Sequence, residues 1–300
     1  MRRAGKAAAE FLVARTTQDC GVVLFVGPGN NGGDALACAA ELAVVGYAPV
    51  IVLLGDPSKF GEDAARVWQR VVELQSASNT SGSAPSPLAG VGWGEGEVGV
   101  GSNLSSADHV PPLPPRERGQ ILVTRTVPAL ISADWVVDGL FGIGLKRPLN
   151  GVYLDAVKAI AIARANGAHV LSLDVPSGVD ADTGATLGDA VVHADITLTF
   201  IANKRGLVTG PALDYAGELL LAPLGVQVPA QLNMPHLLTS RYLAAVQRTA
   251  QANAHKGSHG TCMIIGGASG MLGAALLASR AAMIMQVPWL PLWALACAVR

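Results

Sequence analysis

This chain of 300 residues is poor in charge and poor in aromatics. Asp, Glu, Lys and Arg together make 14% of it, Phe, Trp and Tyr 5%, and the formal net charge is -1. No Lys/Arg-rich block is present, so a phosphate backbone would find no electrostatic footprint, and nucleic acid is excluded as an expected partner. Cysteine is scarce too. Cys20, Cys38, Cys262 and Cys297 form no C-x-x-C pair and lie among small apolar residues, the pattern of buried reduced thiols in a cytoplasmic protein rather than of disulfides or zinc ligands. The start lacks the unbroken apolar stretch of a secretory signal. "MRRAGKAAAEFLVAR" instead spaces Ala, Phe and Leu as a short amphipathic helix does. The final "VPWLPLWALACAVR" is strongly apolar, but Pro288 and Pro291 interrupt it and Arg280 limits its length, which argues against a membrane span.

Apolar residues are plentiful, at half of the chain, enough for one large α/β domain or two smaller ones with cores of their own. Runs rich in β-branched residues recur at "VVLFV", "APVIVLL", "ADWVVDGLFG", "AHVLSLDV" and "ADITLTFIA", and a further one at "GELLLAPLGV". Helix-period segments separate the first run from the second and the third from the fourth. That alternation predicts a Rossmann-like, three-layer α/β domain with a mostly parallel sheet. Residues 76–120 break the pattern: Gly, Ser and Pro dominate, no apolar period exists, and the stretch reads as a low-complexity insertion that leaves Trp93 and Arg116 to Arg118 without a role. The organisation expected is a domain over 1–228, a linker over 229–254 and a second α/β segment over 255–300. This last part opens near His255 with a strand, a glycine loop and a helix, "HKGSHGTCMIIGGASGMLGAALLASRAAMIMQ".

The first glycine loop carries the chemistry. Gly27-Pro28-Gly29-Asn30-Asn31-Gly32 fits G-x-G-x-x-G between a strand and a helix, and Asp56 ends the next strand where a ribose-binding acid would stand. Asp34 is out of place in a dinucleotide fingerprint, because its carboxylate would repel a pyrophosphate docked on the same helix amides. Asn30 and Asn31 bring amide oxygens suited to a hard cation or a polar ring substituent. A plain structural reading also stands: a tight turn in which Asn tolerates left-handed dihedrals and Asp34 caps the helix.

Other strand ends add to the set. "VVDGLFGIGLKRPLNG" ends a strand at Asp138 and continues into a glycine turn carrying Lys146 and Arg147, and "VLSLDVPSGVDADTG" places Asp174 and Ser177 after a later strand. In a parallel sheet the carboxyl ends of all strands share one edge, so Asn30, Asn31, Asp34, Asp138, Asp174 and Ser177 should meet in one crevice. Lys204 in "FIANKRGLVTG" follows a further strand and reaches toward the same rim. Taken singly, Asp138 and Asp174 read equally as loop caps or as buried acceptors for a nearby amide.

"GPGNNGGD", "DGLFGIGLKRPLNG", "LDVPSGVDADTG" and "TFIANKRGL", in this order, resemble the NAD(P)H-hydrate epimerase family, the YjeF N-terminal domain. "HKGSHGTCMIIGGASGMLGAALLASRAA" resembles the opening of the ADP-dependent, ribokinase-like NAD(P)H-hydrate dehydratase domain that is fused behind it in bifunctional repair enzymes. The resemblance implies a substrate, hydrated NADH or NADPH, and a reaction, epimerisation of its R and S forms. It implies that Asn30, Asn31, Gly32, Gly33 and Asp34, with Gly142, Ile143, Gly144, Leu145, Lys146, Arg147 and Pro148, hold the hydrated nucleotide. It further implies a potassium ion on Asn31, Asp138 and Ser177, and a substrate contact at Asp174, which is the expected proton shuttle.

Departures from the family pattern shape further expectations. The chain opens inside what resembles the family's first helix, the insertion lengthens a short connection, and the dehydratase-like part abandons the pattern one helix after its glycine loop. An incomplete second segment without dehydratase activity is therefore expected, with ADP or ATP as cofactor only if that half were complete, and with an aggregation-prone apolar tail. A homo-oligomer is left open. An NAD-linked dehydrogenase using Asp56 and a non-catalytic nucleotide-binding module are the competing readings.

Overall fold

The computed structural model describes residues 1–80, 119–128, 131–227, 237, 240, 263–268 and 270–284. Most of the expected insertion, with Trp93 and Arg116 to Arg118, lies outside the described residues, as do nearly all of 229–254, His255, Cys262 and the apolar tail with Cys297. The chain divides into two compact units, Met1–Pro229 and Ala230–Arg300.

The first unit is built on seven strands, β1 (Val22–Val26), β2 (Val50–Leu53), β3 (Leu122–Thr124), β4 (Trp135–Gly139), β5 (His169–Leu173), β6 (Ile196–Phe200) and β7 (Glu218–Ala222). They lie in the order β3-β2-β1-β4-β5-β6-β7, and every pair is parallel. Every residue of β1, β2 and β4 is buried, as the near-continuous apolar runs of a sheet covered on both faces require. The period of two then sorts their side chains. Val22, Leu24 and Val26 join the core formed with α1 (Arg2–Val13), α2 (Asn30–Val44) and α3 (Glu62–Thr80), while Val23 and Phe25 join the opposite core with α4 (Val152–Ala165). Helix, sheet and helix make the three layers of a Rossmann-like fold.

Two elements are additional to the sequence expectation. α3 continues to Thr80, into the first residues of the stretch read as inserted. β3 is a half-exposed edge strand of only 3 residues, too short for a period of two to register. In the second unit a helix, Gly273–Ile284, is present. Residues 263–268, expected as the strand ahead of its glycine loop, form no strand. A parallel strand exists only with a neighbour to accept its hydrogen bonds, and the described part of this unit supplies none. Among the described residues no helix is long and apolar enough to cross a membrane.

Strand order reverses between β1 and β4, whose carboxyl ends therefore diverge into their loops side by side. Glycine is obligatory where these loops touch: a Cβ on Gly27 would lie 1.8 Å from the Leu140 carbonyl oxygen. The first glycine of the motif thus serves the contact between two loops.

Candidate functional site

A cavity of about 540 Å³ opens at this switch point. Asn30, Asn31 and Asp34 face it from α2, and Gly142, Ile143, Gly144 and Leu145 from the turn after β4. Asp174, Phe200, Ile201 and Lys204 close the far wall from the ends of β5 and β6. Helix α2 begins at Asn30 with Gly29 as its cap and no side-chain cap bond. Asp34 is therefore in the second turn and does not cap the helix. Its spacing from Asn30 and Asn31, four and three residues, turns all three toward one side.

Under the cavity floor is a nest of oxygens. Asp138, fully buried, accepts from the Leu140 N–H (3.2 Å), Ser172 Oγ (2.9 Å), the Ser177 N–H (2.9 Å) and Ser177 Oγ (2.7 Å). The plain reading of Asp138 as a buried acceptor for nearby amides is thus correct as far as it goes. Burial pushes its carboxyl above the ordinary range, against the hydrogen bonds from Ser177, Leu140 and Ser172 that pull it down. Asn31 Nδ2 donates to the Phe141 carbonyl (2.9 Å), and Ser177 Oγ accepts from the Phe141 N–H (3.0 Å). Asn31, Asp138 and Ser177 therefore share one short piece of backbone. Asn31 Oδ1 is buried and has no hydrogen-bond partner. Rotating the amide would set that oxygen against the Phe141 carbonyl, so the orientation is decided by chemistry.

An orphaned buried amide oxygen costs roughly 1–3 kcal/mol, and the Asn31 amide is joined through the Phe141 carbonyl and N–H to the Ser177 hydroxyl and, through that, to the Asp138 carboxylate. Amide, carbonyl, hydroxyl and carboxylate oxygens are all hard donors, the set an alkali or alkaline-earth cation takes. No group of three or more His, Cys, Asp or Glu suited to a metal occurs among the described residues.

The wall of the cavity carries two carboxylates in different circumstances. Asp34 is pushed up to about 7, first by burial and further by the Asp174 charge, against the lowering pull of the chain's amino group and Lys204. Asp174 Oδ1 forms an ion pair with Lys204 Nζ. Its Oδ2 lies 3.3 Å from where a Gly142 Cβ would be, and the Asn31 side chain lies 3.5 Å from the same point. Asp174 therefore points into the crevice and not into a core.

Backbone strain gathers here as well. Only Asp174 (φ 65°), Ile201 (φ 69°) and Leu224 (φ 51°) adopt positive φ without being glycine, among the described residues, and all three line the cavity. The Val175 N–H bonds the Leu173 carbonyl across Asp174 (2.8 Å), and the Ala202 N–H bonds the Phe200 carbonyl across Ile201 (2.7 Å). These are three-residue γ-turns with reversed φ, a strained form costing on the order of 1–3 kcal/mol each. They end adjacent strands, β6 running two residues past the register partner of the last residue of β5, and both chain reversals line the cavity.

Residues 1–206 match the family model described as YjeF-related protein N-terminus. The chain belongs to this family. Among its YjeF-family relatives, the curated NAD(P)H-hydrate epimerase of Bordetella pertussis (strain CS) is 34% identical over 229 residues, which cover 75% of this chain and 79% of that protein. The bifunctional NAD(P)H-hydrate repair enzyme Nnr of Hyperthermus butylicus is 31% identical over 283 residues, 94% of this chain but 44% of that protein. The chain spans about half the length of such bifunctional relatives. The solved structure of yeast ynu0 covers 71% of this chain and 74% of its own, with a TM-score of 0.48 and 18% identity.

Within this YjeF-family chain the expected site residues divide into three groups. Asn30, Asn31, Asp34, Gly142, Ile143, Gly144, Leu145 and Asp174 line the cavity, with Asp138 and Ser177 beneath it. Gly32 and Gly33 belong to the first turn of α2, and a Cβ on Gly32 would meet the Gly27 carbonyl oxygen at 2.0 Å. Lys146, Arg147 and Pro148 do not line the cavity. Lys146 Nζ is held by Asp180 Oδ2 (3.1 Å) and Asp182 Oδ2 (2.8 Å), an arrangement that no spacing along the chain announces. The Thr183 N–H, and Lys146 after it, hold the Asp180 carboxyl down at about 2. Asp56 is not at the site either: its carboxylate accepts from the Ser58 N–H (3.0 Å) and Oγ (2.7 Å) to cap a short turn. Without a ribose-binding acid the dehydrogenase reading has lost its key residue. Sequence reasoning missed Ser172, Phe200, Ile201 and Leu224, and above all Phe141, which takes part through both its N–H and its carbonyl. A backbone contribution has no signature in residue type.

Proposed function

We propose that this chain interconverts the R and S forms of hydrated NADH or NADPH, an isomerase step in nicotinamide nucleotide repair. The observation that carries the reading is the placement of Asp174 Oδ2 in the cavity, opposite Asn31 and Gly142, while Oδ1 is engaged by Lys204. Epimerisation at a hydrated ring carbon requires a proton to leave and return as the hydroxyl changes face, through ring opening or through loss and re-addition of water. Asp174 is the group that takes and returns it. Asp34, whose pKa burial pushes up to about 7, stands as the complementary donor. The apolar rim of Ile143, Ile201 and Leu224 shields the ring from bulk water, and the first-turn amides of α2 face the anionic part of the nucleotide.

The fit of a cation rests on Asn31 Oδ1, which is buried without a donor. Asn31, Asp138 and Ser177 would hold a potassium ion there, and the ion would supply positive charge to orient and neutralise the nucleotide. The test is an NMR epimer-exchange assay on purified protein, with and without potassium. Wild-type protein should exchange the two epimers, and Asp174→Asn should lower the rate at least about 100-fold while the fold persists, since Asn tolerates positive φ. Near-normal exchange by Asp174→Asn would remove Asp174 from the mechanism. A non-catalytic binding module would retain the nucleotide but exchange nothing.

A further inference from the structure

Lys204 lies in the loop after β6, outside the set of residues read from the sequence as binding substrate or metal. Its ammonium has three protons and three acceptors: Asp174 Oδ1, Thr199 Oγ1 (3.0 Å) and the Phe200 carbonyl (2.8 Å). The valence is full, so Lys204 has no proton left for a diphosphate or a ring substituent, although it lines the cavity. Asp174 Oδ1 also faces the Phe200 N–H at 3.4 Å. Oδ1 is thus tied to the end of β6, whereas Oδ2 accepts no hydrogen bond among the described residues and faces Gly142, where the missing Cβ leaves room for approach. The two reversed turns at Asp174 and Ile201 place the carboxylate and the ammonium on adjacent strand ends, and this ion pair staples them.

We propose that Lys204 is the positioning residue of this site: by engaging Asp174 Oδ1 it commits Oδ2 alone to the reacting proton. The inference rests on the epimerase reading. A carboxylate with one free torsion presents either oxygen over a wide arc, and fixing one of them converts a mobile acceptor into an oriented one. Lys204 touches neither the substrate nor the reacting proton, and acts through Asp174.

Two variants and a cycle test it. Lys204→Met keeps the length of the stem and removes the charge, whereas Lys204→Arg keeps the charge and changes the geometry. Lys204→Met should lower kcat for epimer exchange by roughly 100-fold, with KM, and the Kd of unhydrated NADPH as a probe, within about threefold of wild type. Lys204→Arg should recover about tenfold of that loss. In an Asp174→Asn background, Lys204→Met should add no further loss, because its effect passes through the missing carboxylate. A Lys204→Met enzyme with more than half the wild-type rate would overturn the proposal. So would a loss of kcat matched by loss of NADPH binding, or full additivity in the cycle, since each is the mark of a merely structural lysine. Wild-type protein without epimer exchange overturns the epimerase reading and this inference together, whereas exchange in wild type and Lys204→Met alike overturns this inference alone.

Discussion

Asn31 donates its amide nitrogen to the Phe141 carbonyl, 2.9 Å away, and keeps its amide oxygen buried and unpaired. A cation bound by that oxygen would stabilise the folded chain in proportion to its occupancy. Thermal melts should therefore show a midpoint higher in potassium than in a large organic cation, by about 3–5 °C at ten times the ion's Kd. Asn31→Ala should abolish the difference. Equal midpoints for the wild-type chain in both salts would remove the ion from the site.

Asp138 is a pure acceptor for four donors, and Asn in its place would turn an NH₂ group toward one pair of them. Asp138→Asn should cost about 3 kcal/mol in urea unfolding, with the slope m unchanged. A loss below about 0.5 kcal/mol would mean that the nest reorganises freely and is not a rigid cradle.

For Asp34 the folded pKa of about 7 stands above the ordinary 3.8, so the folded state binds this proton more tightly than the unfolded state. Where the unfolded chain has already released it and the folded chain has not, stability falls as pH rises. That window runs from about pH 4 to about pH 7, and the curve is flat above it. Asp34→Asn removes the cost of the buried charge. The variant should match wild type near pH 4 and exceed it at pH 8 by up to about 4 kcal/mol. A stability difference independent of pH would refute the raised pKa.

Gly27→Ala would place a Cβ 1.8 Å from the Leu140 carbonyl oxygen, whereas a Cβ on Gly144 meets nothing within 4 Å. Gly27→Ala should fail to fold or lose more than about 3 kcal/mol, since backbone on both sides blocks relaxation. Gly144→Ala should melt within about 2 °C of wild type. Comparable melting of the two would mean that the β1 and β4 loops separate easily.

Much of the architecture was legible because its signals are local. Fully buried runs such as Val22–Val26 and Trp135–Gly139 announce strands of a covered sheet, and the alternation of strand and helix announces parallel order. α3 has the helical signals, with Glu62 and Asp63 in its first turn and Val67, Trp68 and Val71 against the core, but it leads directly into a stretch whose composition masks it. The glycine loop was legible as a loop and ambiguous as a site. Asp34 fits a cap by residue type, yet the cap is Gly29, because the helix begins five residues earlier than that reading requires.

What residue order by itself determined is most of the sheet, most of the covering helices and the rule that carboxyl strand ends share an edge, which gathers Asn31, Asp34, Asp138, Asp174 and Ser177 into one neighbourhood. Hydrophobic period and strand direction suffice for that, and both are written in consecutive residues. Only the tertiary structure decided which polar groups spend their hydrogen bonds on one another: Lys146 on Asp180 and Asp182, Lys204 on Asp174, and Asn31 on a backbone carbonyl. Such pairings form between segments as much as 110 residues apart and depend on side-chain torsions and reversed turns. An isolated segment has no free energy to prefer them, and they exist only once packing has brought the partners within reach.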